Sequence, residues 1–249
     1  MSIHDEARRG FQAGALAYER ARPSYPREAI EWLNAQLDLR SGRTVLDVGA
    51  GTGKLTRELV ASGATVVAVE PVAGMRAVLE QAVPTVRALD GTAEALPVDG
   101  QSVDAIVVAQ AFHWFDVPRT LAEFHRVLRP EGRFALIWNS RRLDQPLHRE
   151  ISEIIDPYRR DTPSHQRGAW REPLDASSLF VAAGTLELPY EQMVDVDGVV
   201  DRVGSTSFIA ALPDRDRDDV LERVRKLAER SPHPLHLDYT TEVYLYERR

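Results

Sequence analysis

Apolar positions along the chain alternate between two rhythms. A β-branched run at 44–48 leads into Asp47-Val48-Gly49-Ala50-Gly51-Thr52-Gly53, and its unbroken hydrophobicity predicts a strand buried on both faces. Over 54–62 the apolar residues Leu55, Leu59 and Val60 come at helical spacing, with Gly63 as a stop. The pair then repeats. A Val and Ala run at 65–70 predicts a second strand, and 73–81 predicts a helix with Met75, Val78 and Leu79 inward. Further on, the pattern predicts a weaker strand at 85–89, a strong one at 103–109, an amphipathic helix at 119–128 and another strong strand at 132–138. Arg129-Pro130-Glu131-Gly132 reads as the loop between the last two.

Strands and helices in this alternation predict an α/β fold: a Rossmann-like doubly wound sheet, mostly parallel, with right-handed crossovers and helices on both faces. From 140 to 183 the rhythm breaks into a polar stretch rich in Arg, His and Pro, with an amphipathic patch at 147–155, and this reads as an insertion near the ligand-binding edge. Strands at 186–192 and 240–246, with helices at 196–204 and 214–229 between them, bring the sheet to about seven strands. No hinge composition interrupts the chain. Residues 1–249 are therefore expected to form a single domain, with an N-terminal lid segment at 1–40 and the insertion at about 140–183.

Composition narrows the function. With 43% hydrophobic and 28% charged residues the chain can bury a substantial core. The formal net charge is -7 and the basic residues are scattered, which argues against a nucleic-acid partner, since phosphate contacts need clustered positive charge. Cysteine is absent, so disulfides, thiolate nucleophiles and cysteine-ligated metals are excluded. His148, His165, His233 and His236 show no metal-binding spacing, and no metal is expected. The N-terminus carries no apolar run, and no stretch approaches the roughly 20 apolar residues of a membrane span. The expectation is a cytoplasmic enzyme with a small-molecule substrate and no membrane partner, working as a monomer or homodimer.

The glycine turn carries the chemistry. Glycines serve where the backbone takes positive φ or where a ligand approaches its amides, and in an open parallel sheet such a turn lies at the carboxyl ends of the strands. A dinucleotide fingerprint sets its third glycine three residues after the second, whereas Gly53 follows Gly51 by two, and Asp47 stands inside the strand end. A carboxylate there suits a cationic group better than a phosphate. The second strand ends in Val69-Glu70-Pro71, where an acidic side chain can accept hydrogen bonds from both hydroxyls of a ribose.

With Met75 and Gly91-Thr92-Ala93-Glu94-Ala95-Leu96-Pro97, these motifs resemble the class I S-adenosylmethionine-dependent methyltransferases. The stretches Tyr18-Glu19-Arg20-Ala21-Arg22-Pro23-Ser24-Tyr25-Pro26, Gln110-Ala111-Phe112-His113-Trp114-Phe115-Asp116 and Arg126-Val127-Leu128-Arg129-Pro130-Glu131-Gly132 resemble the subgroup that includes trans-aconitate methyltransferases. The resemblance covers roughly residues 10 to 140. It implies S-adenosylmethionine as cofactor, with Asp47, Gly49 and Gly51 framing the methionine moiety and Glu70 on the ribose. Met75, Thr92 and Ala93 would lie at the adenine, Gln110 at the methionine end, and Gly53 and Pro71 belong to the same motifs. Many family members carry Asp where Thr92 stands, so a backbone contact would have to replace that side chain. The last strand is expected to run antiparallel.

On the acceptor side, Tyr18 and Arg22 read as part of the lid, with Arg22 meeting a carboxylate of cofactor or substrate, or else as surface residues. His113 could remove a proton from an acceptor, although an aromatic-flanked histidine also serves as a packed wall, and methyl transfer can proceed by placement alone. Tyr25, Trp114, Trp138 and Trp170 are expected to line the acceptor, with core packing as the alternative for Trp138. A carboxylate acceptor is favoured by the resemblance and by Arg22. Three other readings stay open: a non-methylating reaction on the same cofactor, such as a cyclisation; a non-catalytic binding protein; and a nicotinamide-dependent dehydrogenase, which the glycine spacing disfavours.

Overall fold

The computed structural model describes residue 15 and residues 18–249; residues 1–14, 16 and 17, which open the expected N-terminal segment, lie outside the described residues. Strands and helices alternate as α1 (Arg27–Gln36), β1 (Thr44–Val48), α2 (Lys54–Val60), β2 (Thr65–Val69), α3 (Ala73–Ala82), β3 (Arg87–Leu89), β4 (Val103–Ala109), α4 (Val117–Val127) and β5 (Leu128–Arg141). There follow α5 (Pro146–Ile155), α6 (Arg171–Asp175), β6 (Phe180–Val194), α7 (Val196–Gly204), α8 (Ser207–Ala210), α9 (Asp214–Arg230) and β7 (Leu235–Arg248). The seven strands are ordered β3-β2-β1-β4-β5-β7-β6, the first five parallel and the last two antiparallel. The expected doubly wound sheet is present, with β1 beside both β2 and β4 at the point where the strand order reverses.

Two units divide the chain. One comprises residues 24–140, 163–188 and 241–249; the other comprises the described residues up to 23 together with 141–162 and 189–240. In the first unit the strands supply two opposite core faces. Leu46, Ile106, Val108, Phe134, Leu136 and Trp138 join one cluster, and the intervening Val45, Ala105, Val107, Ala135 and Ile137 join the other. This is the two-residue period of a sheet covered on both sides. The second unit has its own core, in which Ile151, Val199, Val220, Val224 and Tyr239 take part.

Helix α4 shows how local chemistry sets an element. Its buried Val117, Thr120, Leu121, Phe124 and Val127 recur at three and four residues, and the Asp116 side chain accepts from the Arg119 amide at 3.3 Å as an N-cap. The following residues depart from expectation. Instead of a loop between helix and strand, Leu128 already pairs with Val103, and residues 129–132 form an excursion within β5 before Arg133 pairs with Ala105. Glu131 takes φ 66°, and a Cβ on Gly132 would lie 2.9 Å from the Arg129 carbonyl. Arg129 Nη1 reaches both oxygens of Asp104 at 2.9 Å, while Arg43 donates to one and the Thr44 amide to the other. Burial pushes the Asp104 carboxyl up, but these donors outweigh it and hold it below its ordinary value. The excursion is thus pinned by a carboxylate at the base of β1 and β4.

The expected insertion contains α5 and α6 and then the start of β6, a strand that extends well beyond the expected 186–192. Strand β7 likewise extends beyond 240–246 at both ends.

Candidate functional site

The turn after β1 places Gly49 at φ 69° and Gly51 at φ 59°, both in the left-handed region. A Cβ at Gly49 would meet the Ala111 Cβ at 2.9 Å, so the turn packs tightly against the segment after β4. Gly51 is different, because a Cβ there would find only the Met75 Sδ within 4 Å, at 3.8 Å. The backbone at Gly51 is therefore approachable, and its amide donates to Glu70 Oε2 at 2.9 Å.

Glu70, at the end of β2, is buried and held from both sides. Its Oε1 accepts from the Val72 amide at 2.8 Å, and Arg76 Nη1 donates to its backbone carbonyl at 2.6 Å. Each carboxylate oxygen carries two lone pairs, so these amide bonds orient the group without exhausting it. Asp47 is fully buried in β1. Its Oδ2 accepts from the Thr56 hydroxyl at 2.6 Å, and its Oδ1 has no partner among the described residues. Burial raises the Asp47 carboxyl to about 7, with the nearby Glu70 charge adding to the rise and the Thr56 bond opposing it. The Asp47 and Glu70 carboxylates thus flank an approachable glycine backbone.

Met75 and Ala93 are buried and Thr92 half-buried, with the Thr92 carbonyl accepting from the Ala95 amide at 3.2 Å. Pro71 follows Glu70, and Gly53 at φ 86° begins α2, where a Cβ would clash with Leu79. Gln110, just past the end of β4, takes φ 60° and gives its amide to the Ile137 carbonyl at 2.9 Å. A non-glycine residue in that conformation marks a site where surrounding structure imposes strain. A short 3-10 turn, Phe112–Trp114, then presents His113 and Trp114 with ring centroids 5.2 Å apart.

Trp138 and Trp170 do meet, their rings stacked at 4.9 Å and both buried. Tyr25 is buried in the same unit, and the preceding Ser24 carbonyl accepts from Asn139 Nδ2 at 2.7 Å. Tyr18 and Arg22 belong to the second unit, where Arg22 lies 4.8 Å over the Tyr18 ring and donates to the Ser205 carbonyl at 3.1 Å. The second unit also holds the half-buried Arg141 and the buried His148. Burial, with the charges of Arg141 and Arg202, pushes His148 down to about 3.

Sequence reading named His165 only as a histidine without metal-binding spacing and passed over Glu242 and Tyr244; His165 and Tyr244 pack against Trp138, and Glu242 bonds His165. The usable signal was in β7, where Glu242, Tyr244 and Tyr246 recur every second residue and share a face.

Among the described residues no helix is long and apolar enough to cross a membrane. Residues 46–136 match the family model described as a methyltransferase domain. An uncharacterized methyltransferase of Mycobacterium tuberculosis is 43% identical over 222 residues, covering 89% of this chain and 86% of the relative. A malonyl-[acyl-carrier protein] O-methyltransferase of Pectobacterium atrosepticum is 37% identical over 131 residues, about half of each chain. A solved structure from Anaeromyxobacter dehalogenans, provisionally named a type II methyltransferase, is similar with TM-score 0.69 and 26% identity over 92% of this chain and 97% of that one. With this fold, this glycine turn and a relative at that identity over most of both chains, the chain belongs to the class I S-adenosylmethionine-dependent methyltransferases.

Proposed function

We propose that this chain binds S-adenosylmethionine on the glycine turn and transfers its methyl group to an oxygen nucleophile on a small acceptor. The observation that carries the reading is the buried carboxylate pair: Glu70 bonded to the Gly51 amide, and Asp47 with one oxygen unmet among the described residues. A ligand with a cationic amine and a ribose answers both. The trans-aconitate likeness and the O-methyltransferase relative support an oxygen acceptor, carboxylate or hydroxyl.

In this reading Asp47, Gly49 and Gly51 hold the methionine moiety, with Gly53 closing the turn. Glu70 takes the ribose hydroxyls, Pro71, Met75, Thr92 and Ala93 border the adenine, and Gln110 stands at the methionine end. The bound sulfonium supplies an electrophilic methyl group whose leaving group is a neutral thioether. The chain's own contribution is placement and exclusion of water, and well-oriented reactants gain about 7–11 kcal/mol from proximity alone. His113, Trp114, Tyr25, Trp138 and Trp170 are assigned to the acceptor side.

Calorimetric titration with S-adenosylmethionine, S-adenosylhomocysteine and NAD tests the cofactor. Micromolar binding of the first two and none of NAD is expected, followed by methylated products from a screen of carboxylic acids and phenols. Binding of NAD alone would overturn the reading.

A further inference from the structure

Helix α2 follows the glycine turn and buries Leu55, Thr56 and Leu59. Leu55 and Leu59 are what a helix face packed on a sheet requires. Thr56 is the exception: a β-branched side chain loses rotamer freedom in a helix, and a buried hydroxyl costs free energy unless it finds a partner. It is 0% exposed, and its hydroxyl donates to Asp47 Oδ2 at 2.6 Å. The bond spans the whole glycine turn and joins the end of β1 to the first turn of α2.

That bond has two consequences for Asp47. It holds the carboxyl by one oxygen, so that Oδ1, buried and without a partner among the described residues, is the oxygen left to accept. It also opposes burial and the nearby Glu70 charge, both of which favour the neutral acid. In the sheet Asp47 lies opposite Ala68 of β2 and Val107 of β4, neither of which carries a charge. Glu70, at the end of β2, is the charged group that acts on it. Helix α2 also carries Lys54, Arg57 and Glu58, all half-buried, and Glu58 accepts from the Ser24 hydroxyl at 2.9 Å.

We propose that Thr56 is a positioning residue for the cofactor: its hydroxyl fixes one oxygen of Asp47 and leaves the other to receive the amine of the methionine moiety. The proposal rests on the cofactor reading above and adds to it a residue that touches no ligand. Asp47 must carry its charge to pair with a cationic amine. Valine in place of Thr56 keeps the shape of the side chain and removes the hydroxyl. Asp47 would then keep its burial and its Glu70 neighbour, lose the opposing bond, and stay protonated to a higher pH.

A hydroxyl that only tied strand to helix would make the same bond. Its loss would weaken every ligand alike, at every pH. A positioning hydroxyl predicts a loss confined to ligands that carry the amine, and to the pH range in which Asp47 has taken up a proton.

The first measurement uses the ligand-free full chain. The Asp47 side-chain carboxyl carbon resonance should titrate at about 7 in the parent chain and at about 8 in Thr56→Val. Thr56→Ser, which restores a hydroxyl, should return it to the parent midpoint. Calorimetry then compares S-adenosylhomocysteine, whose amine stays cationic above neutral pH, with methylthioadenosine, which keeps adenine and ribose and lacks the amine. Thr56→Val should bind S-adenosylhomocysteine about tenfold more weakly than the parent chain on the acid side of both midpoints, and within about twofold on the alkaline side. Methylthioadenosine affinity should stay within about twofold in both variants at every pH. An unmoved Asp47 midpoint in Thr56→Val would overturn the proposal. So would a loss of S-adenosylhomocysteine affinity that is equal at every pH, or an equal loss for methylthioadenosine. A parent chain that binds neither ligand would overturn the cofactor reading, while the carboxyl midpoint would still decide whether Thr56 governs Asp47.

Discussion

The Gly51 amide donates to Glu70 Oε2 at 2.9 Å, so the glycine turn after β1 and the acidic end of β2 are one construction. The carboxylate that is assigned to the ribose also fixes the backbone on which the methionine moiety is assigned to lie. Changes at either residue should therefore be felt at both.

Glu70→Ala removes a charged acceptor and leaves the amides of Gly51 and Val72 without it. S-adenosylmethionine affinity should fall by about 1–3 kcal/mol. Calorimetry on the folded variant checks this, and unchanged affinity would remove Glu70 from the site.

Asp47 should make cofactor binding pH-dependent. Its carboxyl, raised by burial to about 7, must ionise to meet a cationic amine, so affinity should rise as pH passes upward through 7. The same shift acts on stability with opposite sign. The folded carboxyl is raised above its ordinary 3.8, so the stability it contributes is complete below about 4 and is lost as pH climbs to about 7. Asp47→Asn should flatten the binding profile and stabilise the ligand-free chain at alkaline pH, read by titration and by thermal melting at several pH values.

Two glycines separate backbone strain from packing. Gly42 has φ 86° and nothing within 4 Å of a built Cβ, whereas Gly49 has φ 69° and a clash at 2.9 Å with Ala111. Gly42→Ala should cost about 1–2 kcal/mol, the penalty of left-handed backbone alone. Gly49→Ala should cost a further 1–3 kcal/mol or so from overpacking. Equal melting temperatures for the two variants would contradict the tight approach of the turn to residue 111.

His148 should weaken the fold in acid. Burial and the charges of Arg141 and Arg202 lower it from 6.5 to about 3, so it stays neutral in the fold while the unfolded chain takes up a proton below about 6.5. Stability should therefore decline as pH falls from 6.5 toward 3, by an amount on the order of a few kcal/mol. His148→Phe should remove that part of the decline in denaturant titrations; an identical slope in the variant would show that other groups cause it.

Local pattern alone was enough for β1 at 44–48 and β4 at 103–109, because a strand covered on both faces is a contiguous β-branched run with sharp polar ends. Helix α7 was legible at 196–204 for a similar reason, its buried Val199 and Val203 lying one turn apart. The 129–132 stretch misled because its Pro and Gly signal a turn, and only the Asp104 carboxylate, reached by Arg129, places that turn inside β5. Strands β6 and β7 outran their expected ends because their added pairing depends on a neighbour strand and leaves little mark in their own hydrophobicity.

The sequence by itself determined the α/β alternation, the glycine turn and the identities of Asp47 and Glu70, since each follows from residue type and short-range spacing. Tertiary structure decided what those groups touch. Thr56 on Asp47, Gly51 on Glu70, and above all Glu242 on His165 across 77 residues are bonds between elements brought together only by the sheet order. Hydrogen-bond partners, and with them burial and protonation, depend on distance in space, which no local periodicity encodes.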